Sequence, residues 1–346
     1  MLKIKIADVF RHRNETTFRP FIQAKHLFAD IGVEFIFDGD DYDLTWVGQA
    51  SISDKNHPLE RAISRGLWFI DNKVDGDFVI FDGQDSATLI GTYEVFKQSA
   101  AKLLLKNTLY SDLSNYEKPT PHGRIYWNPI KLATDINYSI PNFDPSGIKL
   151  SGTNWLGTVT PNWFQYKDAK KDIDVFALFS YPAKPNREFL NETSRYYDQH
   201  RRKCINQLEM LPPSIKVAKL VEGRHVPIEE YYNLMSRAKI IIAPFGYGEI
   251  APRDIEATSL GAVLIKPDMT HIDTIPNVYK SGQTFVNCAW DFSDLNENIH
   301  LILNNWGKAQ EYYVENMRKE YANQYNPEKL VLHTYNWLSQ LEGYGT

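Results

Sequence analysis

The chemistry-bearing residues that stand closest together in this chain lie between Ser236 and Asp268. Gly246, Tyr247, Gly248 and Glu249 form a short loop, and Arg253 and Glu256 follow it. The loop leaves an apolar, β-branched run from Lys239 to Pro244, which reads as a parallel strand buried on both faces. Its glycines let the backbone turn sharply and approach a ligand closely. Pro252 suits the first position of a helix. Arg253 then sets a positive charge beside the positive end of the helix dipole, while Ile250 and Ala251 offer no capping oxygen. A bound anion would answer both faults, accepting the first-turn amides and pairing with the guanidinium. Glu256, on the same helix face as Arg253, could accept hydrogen bonds from ribose hydroxyls. The alternative is an exposed Arg253–Glu256 salt bridge at an ordinary strand–helix turn. Gly261 ends the helix, and Ala262 to Ile265 resumes the sheet.

Further candidates lie where strands end. Val175 to Phe179 reads as a strand that opens into a basic loop with Lys184 and Arg187, ahead of a long helix from Glu188 to Leu211. Either side chain could neutralise the same anion as Arg253, or sit as plain surface charge. Past the buried strand Phe78 to Phe81 come Asp82 and Asp85, placed for a cleft-facing base or for capping the next helix. His12 stands between Arg11 and Arg13 in the loop after the first strand, a position that can face a ligand cleft. The run Asp38-Gly-Asp-Asp-Tyr-Asp43 contains an Asp-x-Asp triplet. The triplet recurs at Asp75 and Asp172 and precedes any nucleotide pocket, so it reads as a solvated acidic turn and no metal site is expected.

The elements needed to hold these residues are those of two doubly wound sheets. Leu2 to Phe10 reads as a strand, Phe18 to Ile31 as a helix, and Val33 to Phe37 and Leu44 to Val47 as strands. A helix around Leu59 to Gly66 precedes Phe78. Ala100 to Leu105 and Gly123 to Trp127 read as short strands. Residues 118–164, rich in Pro, Gly, Asn and aromatics including Trp127, Trp155 and Trp163, could line an acceptor groove or serve as an irregular connection. The charged stretch from Asp168 to Asp174 marks a boundary. After it strands and helices alternate through Ile215 to Leu220, Ile228 to Ala238 and the Ser236–Asp268 stretch, as a parallel sheet requires. Helices at Leu295 to Asn304, Lys308 to Asn323 and Pro327 to Leu341 close the chain.

The run from Gly246 to Ile265 resembles the donor-binding segment of exostosin-like glycosyltransferases, with Gly248, Glu249, Arg253, Glu256 and Gly261 on the family's pattern. It is similar, less closely, to the paired-glutamate signature of retaining group-one enzymes, but Glu249 and Glu256 stand one residue closer than that signature asks. The resemblance implies an α/β fold of the GT-B kind, two Rossmann-like domains facing each other across a cleft. Residues 1–168 would form the acceptor domain, 169–325 the nucleotide-sugar domain, and 326–346 a helix returning to the first. It implies a hexosyl- or pentosyltransferase of polysaccharide biosynthesis, acting from a nucleoside diphosphate sugar, UDP ahead of GDP, to a glycan hydroxyl. Inversion without a metal or other cofactor is expected. Arg253, Lys184 or Arg187 would hold the diphosphate, and Asp85, ahead of Asp82 or His12, would act as base. A sugar-nucleotide epimerase and a non-catalytic carbohydrate-binding protein are the rivals.

Composition sets the outer bounds. A net charge of -5 gives no electrostatic case for nucleic acid or an anionic membrane. Two cysteines argue against a disulfide framework or a cysteine-built metal site. No apolar run approaches bilayer length and the chain opens on a strand, so a cytoplasmic protein is expected. Aromatics at 13% suit sugar stacking and core packing alike.

Overall fold

The structure, a computed structural model, describes residues 1–9, 12–52, 59–132, 136–154, 169–180, 188–219, 226–341 and 343–344; side chains at 12, 13 and 188–193 are not described. The first half comprises β1 (Leu2–Ala7), α1 (His12–Gln23), α2 (Lys25–Asp30), β2 (Val33–Ile36), β3 (Leu44–Gly48), α3 (Gln49–Ile52) and α4 (Leu59–Lys73). It continues through β4 (Phe78–Asp82), α5 (Thr92–Gln98), β5 (Leu104–Lys106), β6 (Thr108–Tyr110), β7 (Thr120–Pro121), β8 (Asn137–Tyr138) and β9 (Ile148–Leu150). Six of these strands form one sheet in the order β2-β1-β3-β4-β5-β9, every neighbour parallel. β3 and β4 are buried along their whole length, as expected of apolar runs covered by helices on both faces.

The second half holds β10 (Ile173–Ala177), α6 (Glu188–Glu209), β11 (Val217–Lys219), α7 (Ile228–Ser236), β12 (Ala238–Ile242), α8 (Pro252–Ser259), β13 (Val263–Pro267), β14 (Ile272–Thr274) and β15 (Val286–Cys288). The second sheet runs β11-β10-β12-β13-β15, again all parallel. Helices α9 (Leu295–Asn304), α10 (Trp306–Ala309), α11 (Glu315–Gln324) and α12 (Pro327–Leu338) end the chain. The layout is that of two doubly wound parallel sheets, as expected from the sequence. Helix α12 lies back on the first sheet, where Trp337 and Leu338 join Trp46 and Phe81 in one core; the Trp46 and Trp337 rings are 5.6 Å apart.

The halves are joined by more than a linker. β14 pairs antiparallel with β6, Ile272 opposite Tyr110. Thr274 donates its hydroxyl to the Asn107 carbonyl at 2.9 Å, and Asn154 donates its amide to the Pro276 carbonyl at 2.9 Å. One apolar cluster runs from Val47 and Ile80 in the first sheet to Phe176 and Leu264 in the second.

Four expectations change. Gly123 to Trp127 is no strand, since Ile125–Trp127 is a 3₁₀ turn that buries all three side chains. Trp127 faces no groove, because its ring stacks on Tyr196 at 5.1 Å across the junction. The first helix starts at His12 rather than Phe18, and the helix expected from Lys308 is interrupted by a π turn at Gln310–Val314. Trp155 and Trp163 lie outside the described residues.

Candidate active site

The carboxyl ends of the second sheet's strands carry a polar cluster. The chain leaves β10 through Leu178, Phe179 and Ser180, and two guanidiniums clamp this exit. Arg253, from the first turn of α8, donates to the Leu178 carbonyl at 2.8 Å and to the Tyr231 hydroxyl at 3.2 Å. Arg201, from α6, donates to the Ser180 carbonyl at 2.9 Å, the Phe245 carbonyl at 3.3 Å and the Tyr197 hydroxyl. Both guanidiniums lie near the Phe179 ring, at 5.4 Å for Arg201 and 5.9 Å for Arg253. Neither makes a salt bridge to a carboxylate among the described residues. Burial, with Arg253 nearby, pushes Arg201 down to about 10, so at neutral pH it stays charged. Two confined cations outside any salt bridge have donors to offer an anion.

Both arginines open onto one cavity of about 410 Å³, shared with Glu256, Tyr231, Tyr232 and the loop Gly246–Gly248. Glu256 is 6% exposed and accepts from the Tyr232 hydroxyl at 3.0 Å. Burial raises its pKa, with Arg253 opposing. The exposed Arg253–Glu256 salt bridge is therefore not what the fold contains. The missing cap is also corrected. The Asp254 carboxylate accepts the Ala251 amide at 3.0 Å, closing the α8 start from inside, and is itself held by Lys266 at 3.1 Å and the Tyr279 hydroxyl at 2.7 Å. Sequence reading looked for a cap before the helix and missed one three residues into it. The case for an anion thus rests on the arginines.

The loop glycines serve close approach and not a left-handed turn. A Cβ on Gly248 would stand 1.6 Å from the Asp85 carbonyl oxygen, and one on Gly246 3.2 Å from the Arg201 guanidinium. Tyr247 stacks on Tyr197 at 5.0 Å, and its carbonyl accepts from Arg124 at 2.7 Å. Glu249 does not reach the cavity. It is fully buried, 3.5 Å from the Ala87 amide and 3.8 Å from His271, so it fastens the loop to the first half.

Across the cavity stands Asp85, exposed, lining it and also a second cavity in the first half. Asp82 sits deeper at 1% exposure, bonded to the Thr92 hydroxyl and the Gln84 amide and 3.4 Å from the buried Lys106. Its carboxylate shapes the loop that presents Asp85. His12 begins α1, but its side chain is not described; Lys184 and Arg187 lie outside the described residues. The acidic turn at 38–43 is taken up by Lys3 and Lys5 at the surface. Among the described residues no group of three His, Cys, Asp or Glu could hold a metal ion, and no helix is long and apolar enough to cross a membrane.

Arg201 was legible but not read. Tyr197, Cys204, Ile205 and Leu208 form a buried helical stripe, and an arginine in the middle of such a stripe signals a site.

Compared by sequence, the chain matches no protein-family profile and no curated protein. Solved structures are similar over nearly its whole length. HepE of Anabaena in complex with UDP-glucose is 12% identical, with 99% of this chain and 100% of that one covered and a TM-score of 0.48. Sucrose-phosphate synthase of Thermosynechococcus elongatus is 12% identical over 98% and 99%, with a TM-score of 0.48. UDP-GlcNAc 2-epimerase of Methanocaldococcus jannaschii is 11% identical over 98% and 100%, with a TM-score of 0.36. At this level the likeness assigns neither activity nor ligand.

Proposed function

We propose that the chain is a glycosyltransferase that moves a sugar from a nucleoside diphosphate sugar to a hydroxyl of a glycan acceptor. One observation carries the reading. Arg201 and Arg253, unpaired with carboxylates, meet the Glu256 carboxylate in a single cavity at the carboxyl ends of a parallel sheet, opposite Asp85. In open α/β sheets this is where nucleotides bind. The guanidiniums would hold the diphosphate and stabilise the charge that grows on it as the glycosidic bond breaks. Glu256 would accept from ribose hydroxyls, beside Tyr231, Tyr232 and Ile228 on the same wall. Asp85 would remove the acceptor's proton as its oxygen attacks the anomeric carbon, inverting that centre without a metal. Asp82 would position Asp85, and Glu249 and Gly248 would hold the two halves together at the reacting point.

The exostosin-like relation, the domain limits at 168 and 325, the preference for UDP and a place in polysaccharide synthesis belong to this reading. A thermal-shift panel of nucleoside diphosphates and their sugars, with and without magnesium, tests it. Stabilisation by a diphosphate nucleotide is expected, undiminished by chelator. Absence of any shift would return the protein to the carbohydrate-binding alternative, and conversion of donor without acceptor would make it an epimerase.

A further inference from the structure

We infer that the acceptor is an uncharged oligosaccharide that runs along one face of α1, away from Asp85, into a groove walled by α11 and α12. This rests on the donor-site reading above and names what the same site takes as its second substrate.

Two cavities carry it. The nearer, about 200 Å³, is lined by Asp85 and by hydroxyl and amide side chains: Thr16, Thr17, Gln49, Asn107 and Ser151. The fold brings α1 tightly to the loop that bears Asp85, since a Cβ on Gly83 would stand 2.5 Å from the Thr17 hydroxyl. Gln49 is 5% exposed, yet its side chain makes no hydrogen bond to another described residue. At the cavity wall this amide is open to the hydroxyl of a bound sugar, or to water in its place. Among the described residues no lysine, arginine or histidine lines this cavity; Asp82 is offset by the buried Lys106 behind it, and Asp85 is the carboxylate left facing the space. A phosphorylated or carboxylated sugar would meet repulsion there, and a neutral polyol would meet donors and acceptors.

The farther cavity, about 340 Å³, shares Thr153 and Asn154 with the nearer one. It also continues along the same helix. Thr16 lines the first cavity, and Pro20 and Gln23 line the second, positions four and then three residues apart on one face. From Thr16 to Gln23 the helix rises about 10 Å at 1.5 Å per residue, more room than one sugar ring needs. The far wall pairs apolar and aromatic surface, Pro327, Leu330, Tyr321 and Tyr325, with the amides of Gln324 and Asn326; Lys329 and His26 also line it, so the selection against charge rests on the nearer cavity beside Asp85. Flat apolar faces rimmed by amides suit the two sides of a pyranose ring.

The experiment measures binding of neutral oligosaccharides of the glucose, xylose and N-acetylglucosamine series, from single sugars to hexasaccharides, to the UDP-loaded protein, with glucose 6-phosphate alongside. One neutral series should gain at least tenfold in affinity between the single sugar and its longer members. Glucose 6-phosphate should bind more weakly than glucose. Gln23→Trp, at an exposed position inside the farther groove, should remove the gain with length. Gln49→Ala should weaken every member about tenfold, the loss of one buried hydrogen bond. Asp71→Trp, on α4 away from both cavities, is the control for an added surface tryptophan. Affinity independent of length, an unchanged length profile in Gln23→Trp, tighter binding of the phosphorylated sugar, or no binding by any neutral series would each overturn the inference. Because UDP stabilisation is read separately, its absence would mark failure of the donor site instead.

Discussion

At the scale of single residues, the site turns on charges that the fold confines without pairing. Arg201 and Arg253 spend part of their donor capacity on backbone carbonyls and tyrosine hydroxyls, which fixes the guanidinium planes and leaves the remaining N–H groups for a ligand. Replacing either by alanine should weaken nucleotide diphosphate binding about ten- to a hundredfold, the worth of one or two charge-assisted hydrogen bonds. Titration calorimetry at low salt reads this. An unchanged affinity in Arg201→Ala would remove that residue from the site. Glu256 tells a complementary story through pH. Burial raises its pKa above 4.5 in the folded chain. Folded protein therefore holds the proton to higher pH than unfolded protein, and stability falls as pH rises from 4.5 through the raised value. Glu256→Gln should raise the melting temperature of the ligand-free protein at pH 7, by less at pH 4, while lowering affinity for ribonucleotides about tenfold. A variant that melts lower at pH 7 would show the carboxylate to be stabilising.

At the scale of elements, strand ends and loops decide what reaches the cavity. β4 and its loop deliver Asp85 because Lys106 at the end of β5 and Thr92 at the start of α5 hold Asp82 beneath it. The facing loop can come so near only because residue 248 has no side chain. Gly248→Ala would place a methyl inside van der Waals distance of the Asp85 carbonyl, and the loops must part. The cost should be about 3 kcal/mol in urea unfolding, with donor affinity kept better than transfer. A neutral result would mean that the loops already part in solution. The parallel strands and the α8 start were readable from β-branched runs and the Pro252–Gly261 frame, since those signals are local. The Asp254 cap is local, its partner amide being Ala251 three residues back, and went unread because capping was sought only before the helix. The clamping role of Arg201 was not legible because its carbonyl partners, Ser180 and Phe245, are distant along the chain.

At the scale of the whole molecule, the halves share the β6–β14 ladder, a continuous apolar cluster and a returning helix. They should unfold as one cooperative unit. Differential scanning calorimetry of the full chain is expected to show a single transition, with calorimetric and van't Hoff enthalpies agreeing; two resolved transitions would mean that the ladder does not couple the halves. By itself the amino-acid sequence determined the two parallel sheets and the donor-side candidates Arg253 and Glu256, because hydrophobic period, proline and glycine act within a few residues. Only the tertiary structure decided that Glu249 fastens the loop instead of lining the cavity, that Arg201 is the second guanidinium there, and that Asp85 and not Asp82 faces both cavities. Those assignments follow from which surfaces meet when the sheets pack, and that is set by contacts between residues 21 positions apart for Arg201 and Ser180 and 162 apart for Glu249 and Ala87.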